Sequence, residues 1–412
     1  MSDLTPIPFS YKLRRFLIFL YGFSICFGTF ALTGSSRNFT LSFIVAIIYI
    51  LSLLPIMGNL QETLRCYAKY IRPIILFFIL LCLMNWLNEN EYDVAIVPIS
   101  ILSCIILFIF MLLHNRFDNK AITYCMYGYM IGATVLSVLF FLGIGVYLEF
   151  GTDIAEGERI SMFGQNQNEL GMIMVNGITL AVLLVLIYNK LNIGVWRYLV
   201  IIPLITMSLL MFAAASRTAF FALAAIMVCF VFMHKTKGRY TRLLFLLAGF
   251  VGIWYAYQYF ISSDSLMYAR ILETIKSGST SGRTDIWNKL IPRLMETPIF
   301  GVGQTGYSLV AHQCLMSIAG NMYEYGYSPH NVLIEIFAYT GIVGLSIMLI
   351  FWLRVTIAGF ESYKYNNNLV PLLLFIPVVA FILTGQILAN KFAWVLYAYM
   401  ITQAYQVKLN KP

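Results

Sequence analysis

Charge is scarce in this sequence. Asp, Glu, Lys and Arg make up 11% of its 412 residues, where a water-soluble domain carries about 25% because its surface faces water. With 60% hydrophobic residues and a mean hydropathy of +0.81, most of the surface has to face lipid, which excludes a soluble globular enzyme. Cysteine gives no framework either. Of the seven, Cys26, Cys82, Cys104, Cys125 and Cys229 lie in apolar runs and Cys66 in a cytoplasmic connection. Cys314 stands alone on the outer side, so neither disulfides nor a metal cluster are implied. The outer segments hold no Asp-x-Asp or paired-carboxylate cluster for a divalent ion, and no repeat or low-complexity tract is present. Gly301, Gly303 and Gly306 in GVGQTG imitate a nucleotide-binding loop. No strand precedes them and no Lys-Ser/Thr follows, so they read as a tight turn at the membrane surface.

What is present is a succession of apolar runs of spanning length, roughly 17–25 residues. They fall near 16–34, 40–57, 72–88, 94–113, 121–148, 169–188, 196–215, 218–233, 242–260, 331–353, 369–385 and 390–407. The fold class expected is an all-α integral membrane protein of about twelve transmembrane helices, one polytopic domain over 1–412. The first run follows basic residues as a signal peptide would, but it is long for one and eleven more follow, so it reads as a retained helix.

An even number of spans puts both termini on one side, and Lys12, Arg14 and Arg15 make that side the cytoplasm. Inside then lie eighteen bases and four acids, outside nine bases and thirteen acids, a net +14 against −4. The basic balance is thus the positive-inside bias and calls for no nucleic acid. Two outer connections are long: 149–168, and a large extracytoplasmic loop, 261–328, between spans 9 and 10. Loops of that length are commonly functional, and Trp287, several tyrosines and helix-start signals make the second an ordered one.

Polar residues gather at the outer ends. Ser281-Gly282-Arg283-Thr284-Asp285 reads as a turn into a helix N-terminus, with Thr284 as cap and Asp285 matching the positive helix end. Ile286, Leu290 and Leu294 then form one apolar face, and Pro298 and Gly301 close the element. Arg283 beside helix amides suits an anion; it equally suits a turn cap or a partner for Asp285. Ser328-Pro329-His330-Asn331 opens the tenth span, with Ser328 as N-cap and Pro329 in the first turn. The helix dipole would keep the His330 imidazole neutral and able to accept a proton; a histidine anchoring a helix at the interface is the plainer reading.

Arg217, in Ala215-Ser216-Arg217-Thr218, sits where the seventh span turns directly into the eighth. It either snorkels to lipid phosphates or has a counter-ion or a job. Asn331, Glu335 and Tyr339 share one face of the tenth span, and Glu335 suits pairing with an arginine. Asn166 and Asn168, at the mouth of the sixth span, can cap that helix or bond sugars. His312 has no helix start beside it and is expected to be dispensable.

In order and spacing, FGQNQNELG at 163–171, ASRTAF at 215–220, SGRTDIW at 281–287, ETPIFGVGQTGY at 296–307 and SPHNVLIEIFAYTGIVGL at 328–345 resemble the O-antigen ligase and polymerase superfamily of bacterial membrane glycosyltransferases. The family often has Asn-Pro-Asn where this chain has Asn166-Gln167-Asn168. The resemblance implies a GT-C-like fold in the cytoplasmic (inner) membrane. It also implies transfer of a glycan from undecaprenyl pyrophosphate to an acceptor hydroxyl on the outer face, without cofactor or metal. Arg217 and Arg283 would then bind the pyrophosphate and His330 would activate the acceptor, supported by Glu335, Asn331, Asn166 and Asn168. A ligase acts on lipid A–core oligosaccharide and a polymerase on another glycan, with the same chemistry; the ligase is the reading preferred. A lipid-linked oligosaccharide flippase or transporter is the rival of another class. Transporters place ionisable groups near the midplane, whereas spans one to nine here hold almost no charge.

Overall fold

Eleven of the twelve apolar runs overlap helices in the computed structural model of the chain, which describes residues 9–30, 40–90, 96–150, 158–233, 272, 283–319, 328–385 and 388–409. The run at 242–260 and, within the 261–328 connection, residues 261–271, 273–282 and 320–327 lie outside the described residues. In chain order the helices are α1 (Phe9–Ile25), α2 (Leu41–Ser52), α3 (Leu60–Cys66), α4 (Ala68–Leu87), α5 (Ile96–Phe117) and α6 (Ala121–Phe141). Then come α7 (Gln167–Leu180), α8 (Ile201–Ala213), α9 (Arg217–Met233), α10 (Arg283–Leu294), α11 (Gly303–Ala319), α12 (Val332–Asn366), α13 (Val370–Thr384) and α14 (Lys391–Leu409). Six described helices are long and apolar enough to cross a membrane, or seven if a pair bent by 63°, α2 with the segment from Leu54 to Cys66, is one span. The chain is a multi-pass, mostly helical membrane protein.

The apolar pattern misjudged three places. The fifth run stops being helical at Phe141, and the chain forms an antiparallel hairpin of β1 (Val146–Phe150) and β2 (Glu158–Met162), with Leu148 opposite Ile160. The hairpin leads into α7: Phe163 packs edge-on against Phe30, and Gln165 Nε2 donates to the Cys26 carbonyl at 2.7 Å. Residues 303–319, read as loop, form α11. The tenth span is longer than expected and broken inside, at Gly341 (φ 62°, ψ −164°).

That break is filled by the turn after α10. Val302 N donates to Ala338 O (2.8 Å), and Ile342 N and Val343 N donate to Pro298 O and Ile299 O (2.9 and 3.2 Å). Non-helical backbone at membrane depth persists only where protein satisfies its polar groups, and this turn does so. A Cβ at Gly341 would fall 2.2 Å from the Ile299 carbonyl oxygen, and one at Gly301 2.5 Å from that of Ala338. The turn at Gly301 and Val302 is therefore tight and clamps the first half of α12 to the end of α10, whereas Gly303 opens α11 and Gly306, read with the turn, lies inside that helix.

Lipid tails are as apolar as Leu, so helices associate by close packing. α1 and α6 meet glycine to backbone: a Cβ at Gly128 would lie 1.9 Å from Phe19 O, and one at Gly22 2.0 Å from Cys125 O. Even alanine at 128 forces the helices apart, and overpacking typically costs about 1–3 kcal/mol. Gly128→Leu is expected to lower the detergent-solubilised melting temperature clearly, whereas Gly58→Ala, with no atom within 4 Å of its added Cβ, leaves it unchanged. Equal melting of the two variants would refute this packing.

Candidate active site

The residues singled out along the chain are brought together at one end of the bundle. Asn166 caps α7: its side chain accepts from Asn168 N at 2.9 Å. Asn168 faces the next helix pair, where Ser216 Oγ donates to its Oδ1 at 3.0 Å. Ser216 stands in the three-residue turn between α8 and α9, with Ala215 in the left-handed region (φ 49°). Arg217 is thus the first residue of α9, and Thr218 Oγ1 bonds Thr384 Oγ1 at the end of α13 (3.1 Å). Arg217 is pinned on both sides by neighbours bonded to α7 and α13.

A cavity of about 270 Å³ opens here. Asn168, Glu169, His330, Phe381, Thr384 and Asn390 are among its walls, and Asn166 lines it too. His330 arrives from the connection before α12, and the structure corrects how it is held. The N-cap of α12 is Asn331, which accepts from Leu333 N and Ile334 N (2.9 and 3.3 Å), rather than Ser328. Ser328 Oγ instead accepts from His330 N at 3.1 Å, and Pro329 lies outside the helix. His330 itself is in the left-handed region, φ 50°, a conformation uncommon for any residue but glycine. Such strain tends to collect at functional sites.

The imidazole is held neutral, as expected from the sequence. Burial is the main cause and the positive charge of Arg283 the second, and together they push its pKa down to about 4. His330 stands just ahead of the cap Asn331 rather than in the first turn of α12. That electrostatic contact also locates Arg283. It is the first residue of α10, so Thr284 stands inside that helix instead of capping it. One turn on, Trp287 Nε1 donates to the Pro329 carbonyl at 2.8 Å. Residues four apart share a helix face, so the face of α10 that carries Arg283 is the one tied to the His330 connection. Ile286, Leu290 and Leu294 are buried on α10, as their spacing predicted.

Glu335 is buried in α12 and accepts from the hydroxyl of Tyr339 at 3.2 Å, one turn along the same face. The arginine partner expected for it is replaced by this tyrosine; among the described residues its other oxygen has no hydrogen-bond partner. Asn331 Nδ2 reaches Leu383 O at 3.3 Å and joins α12 to α13. His312 lies on α11 and does not line the cavity. Among the described residues no three His, Cys, Asp or Glu side chains converge as metal ligands.

Sequence reasoning missed Glu169, Phe381, Thr384 and Asn390. Glu169 stands three residues after the cap Asn166, where an acid is unremarkable as part of a helix start. Phe381 is one apolar residue of a span, and Asn390 stands at the start of another. Only their meeting at the cavity marks them.

Residues 202–349 match the family model described as O-antigen ligase. The matched stretch contains Arg217, Arg283, His330, Asn331 and Glu335, and leaves out Asn166, Asn168 and Glu169. No curated protein matches the chain. The match bears out the resemblance to the O-antigen ligase and polymerase superfamily and supports an activity of that general kind.

Proposed function

On the O-antigen ligase match over residues 202–349, we propose that this membrane protein transfers a glycan from undecaprenyl pyrophosphate to an acceptor hydroxyl. The preferred acceptor is lipid A–core oligosaccharide, on the outer face of the bacterial cytoplasmic membrane. The charge asymmetry of the connections supports this orientation, with both termini cytoplasmic. The observation that carries the reading is a neutral, half-buried His330 in the cavity wall, close enough to Arg283 to feel its charge, with the residues on either side of Arg217 bonded to the wall residues Asn168 and Thr384.

The chemistry follows from those groups. His330 takes the proton of the acceptor hydroxyl as its oxygen attacks the anomeric carbon. The bond from that carbon to the diphosphate oxygen breaks, its electron pair leaves with the diphosphate, and the anomeric centre inverts. Negative charge grows on the leaving phosphate oxygens. Two guanidinium groups beside a low-dielectric boundary stabilise it with fixed, bidentate donors.

The same chemistry serves a polymerase, in which the acceptor is a second lipid-linked glycan. Surface glycolipid from a strain deleted for the gene separates the two. A ligase deletion leaves bare lipid A–core and long polymer stranded on its lipid carrier; a core carrying a single repeat unit would replace the ligase reading by a polymerase. An unchanged glycolipid pattern together with impaired outward movement of lipid-linked glycan would point to a flippase.

A further inference from the structure

The cavity at His330 has walls that the proton transfer and the diphosphate do not use. Asn166 and Asn390 each turn a side-chain oxygen toward a backbone N–H: Asn166 Oδ1 accepts from Asn168 N (2.9 Å) and Asn390 Oδ1 from Ala393 N (3.1 Å). A backbone N–H only donates, so in each case the atom it meets is the oxygen, and the amide nitrogen is left over. Asn168 likewise spends its oxygen on Ser216 Oγ (3.0 Å). None of the three amide nitrogens makes a hydrogen bond among the described residues. Three NH₂ donors are therefore available at one small cavity.

The wall also has an acceptor. Glu169 lines the cavity and is in no hydrogen bond among the described residues. Lys391, next to Asn390 in the chain, is not among the lining residues; it donates to Ser42 Oγ at 2.5 Å. Phe381 is a buried ring on a third side. Three amide donors, one carboxyl acceptor and an aromatic ring form a mostly pre-built site with a few placed polar groups. About 270 Å³ lies at the small end of ligand sites, which run to roughly 300–1,000 Å³. That volume suits one ring with several hydroxyls.

Resting on the glycan-transfer reading above, we propose that this cavity is the acceptor subsite and takes a single terminal sugar. Glu169 accepts from a hydroxyl beside the reacting one, and the amides of Asn168 and Asn390 donate to the ring's other oxygens. One sugar hydroxyl is thereby held at His330 while its neighbours are occupied.

The test uses the purified full-length protein in detergent. The donor is an undecaprenyl-pyrophosphate-linked glycan, and the acceptor is glycolipid extracted from a strain deleted for this gene. Glu169→Gln replaces half of the carboxyl acceptor by a donor, and a mismatched buried hydrogen-bonding group is worth roughly ten- to a hundredfold. The acceptor KM is expected to rise by that factor with the donor KM unchanged. Asn390→Asp is chosen to keep the fold: the retained oxygen can still cap α14 at Ala393, while the amide donor is lost. It too is expected to raise the acceptor KM alone. If the wild type transfers glycan and both variants keep the acceptor KM within about twofold, or if donor and acceptor KM move together, the subsite assignment is overturned and the transferase reading stands. No transfer by the wild type at all overturns that reading and the subsite with it.

Discussion

Replacing His330 by alanine is expected to lower turnover by about 10²–10⁴-fold, the usual worth of a positioned general base, while binding of the lipid-linked donor persists. His330→Gln keeps the bulk and a hydrogen-bonding end but accepts no proton, so it should be as inactive. The pH profile separates this from a structural role. The imidazole pKa is pushed down to about 4, first by burial and then by the charge of Arg283. A lowered histidine pKa means that the basic form persists to lower pH than usual. In the wild type kcat/KM, which reports the free enzyme, should stay flat through the ordinary histidine range near 6.5 and fall only as the pH approaches about 4. Removing the Arg283 charge relieves part of the shift and should move the acid limb upward. Bound diphosphate adds negative charge near the same arginine, so the limb in kcat should stand above that in kcat/KM. Near-normal turnover by His330→Gln with an unmoved acid limb would end the assignment, and Glu335 would be the next residue to replace.

The arginines carry the second large effect. Arg217→Ala and Arg283→Ala are each expected to cost about 10²–10³-fold in kcat, the range seen when one donor to developing charge is removed. Both proteins should remain in the membrane in normal amount. Arg283→Lys should rescue poorly, since an ammonium cannot reproduce a planar two-pronged contact. Arg217 lies at the first turn of α9 between two neighbours bonded to α7 and α13. Its effect is therefore expected on turnover more than on stability. Transfer should be unaffected by chelator. Activity surviving either alanine change, or restored only by an added divalent ion, would contradict charge stabilisation by the two guanidinium groups.

The amino-acid sequence by itself determined what local chemistry can declare. Scarce charge and long apolar runs establish a multi-pass membrane protein, because lipid admits little else. Arg217, Arg283 and His330 were legible because each stands at a helix start or turn, where a polar group on an otherwise apolar chain has to be explained. The buried face of Ile286, Leu290 and Leu294 was legible by its spacing alone. Sequence also offered Asn166 and Asn168 as helix caps or sugar contacts; a cap depends only on atoms two residues apart, and the structure gives that role to Asn166.

The tertiary structure alone decided everything that depends on meeting. The hairpin at 146–162 replaces helix where the apolar pattern ran on, and α12 breaks at Gly341 because a turn from forty residues earlier in the chain supplies its hydrogen bonds. Periodicity reports what a helix presents to its surroundings and says nothing of a distant turn inserted in it. His330 is neutral as expected, with burial the main cause and the charge of Arg283 the second, neither of which its place in the chain reveals. The sequence placed it inside the helix start, whereas Asn331 caps the helix. Glu169, Phe381 and Asn390 come from the start of one helix, the interior of another and the approach to a third, and only packing turns them into one wall. A side chain's neighbours along the chain follow from the sequence, whereas its neighbours across a cavity follow from how helices with nearly featureless apolar faces choose one another. That choice rests on close contacts such as Gly128 against Phe19, which no single segment reveals.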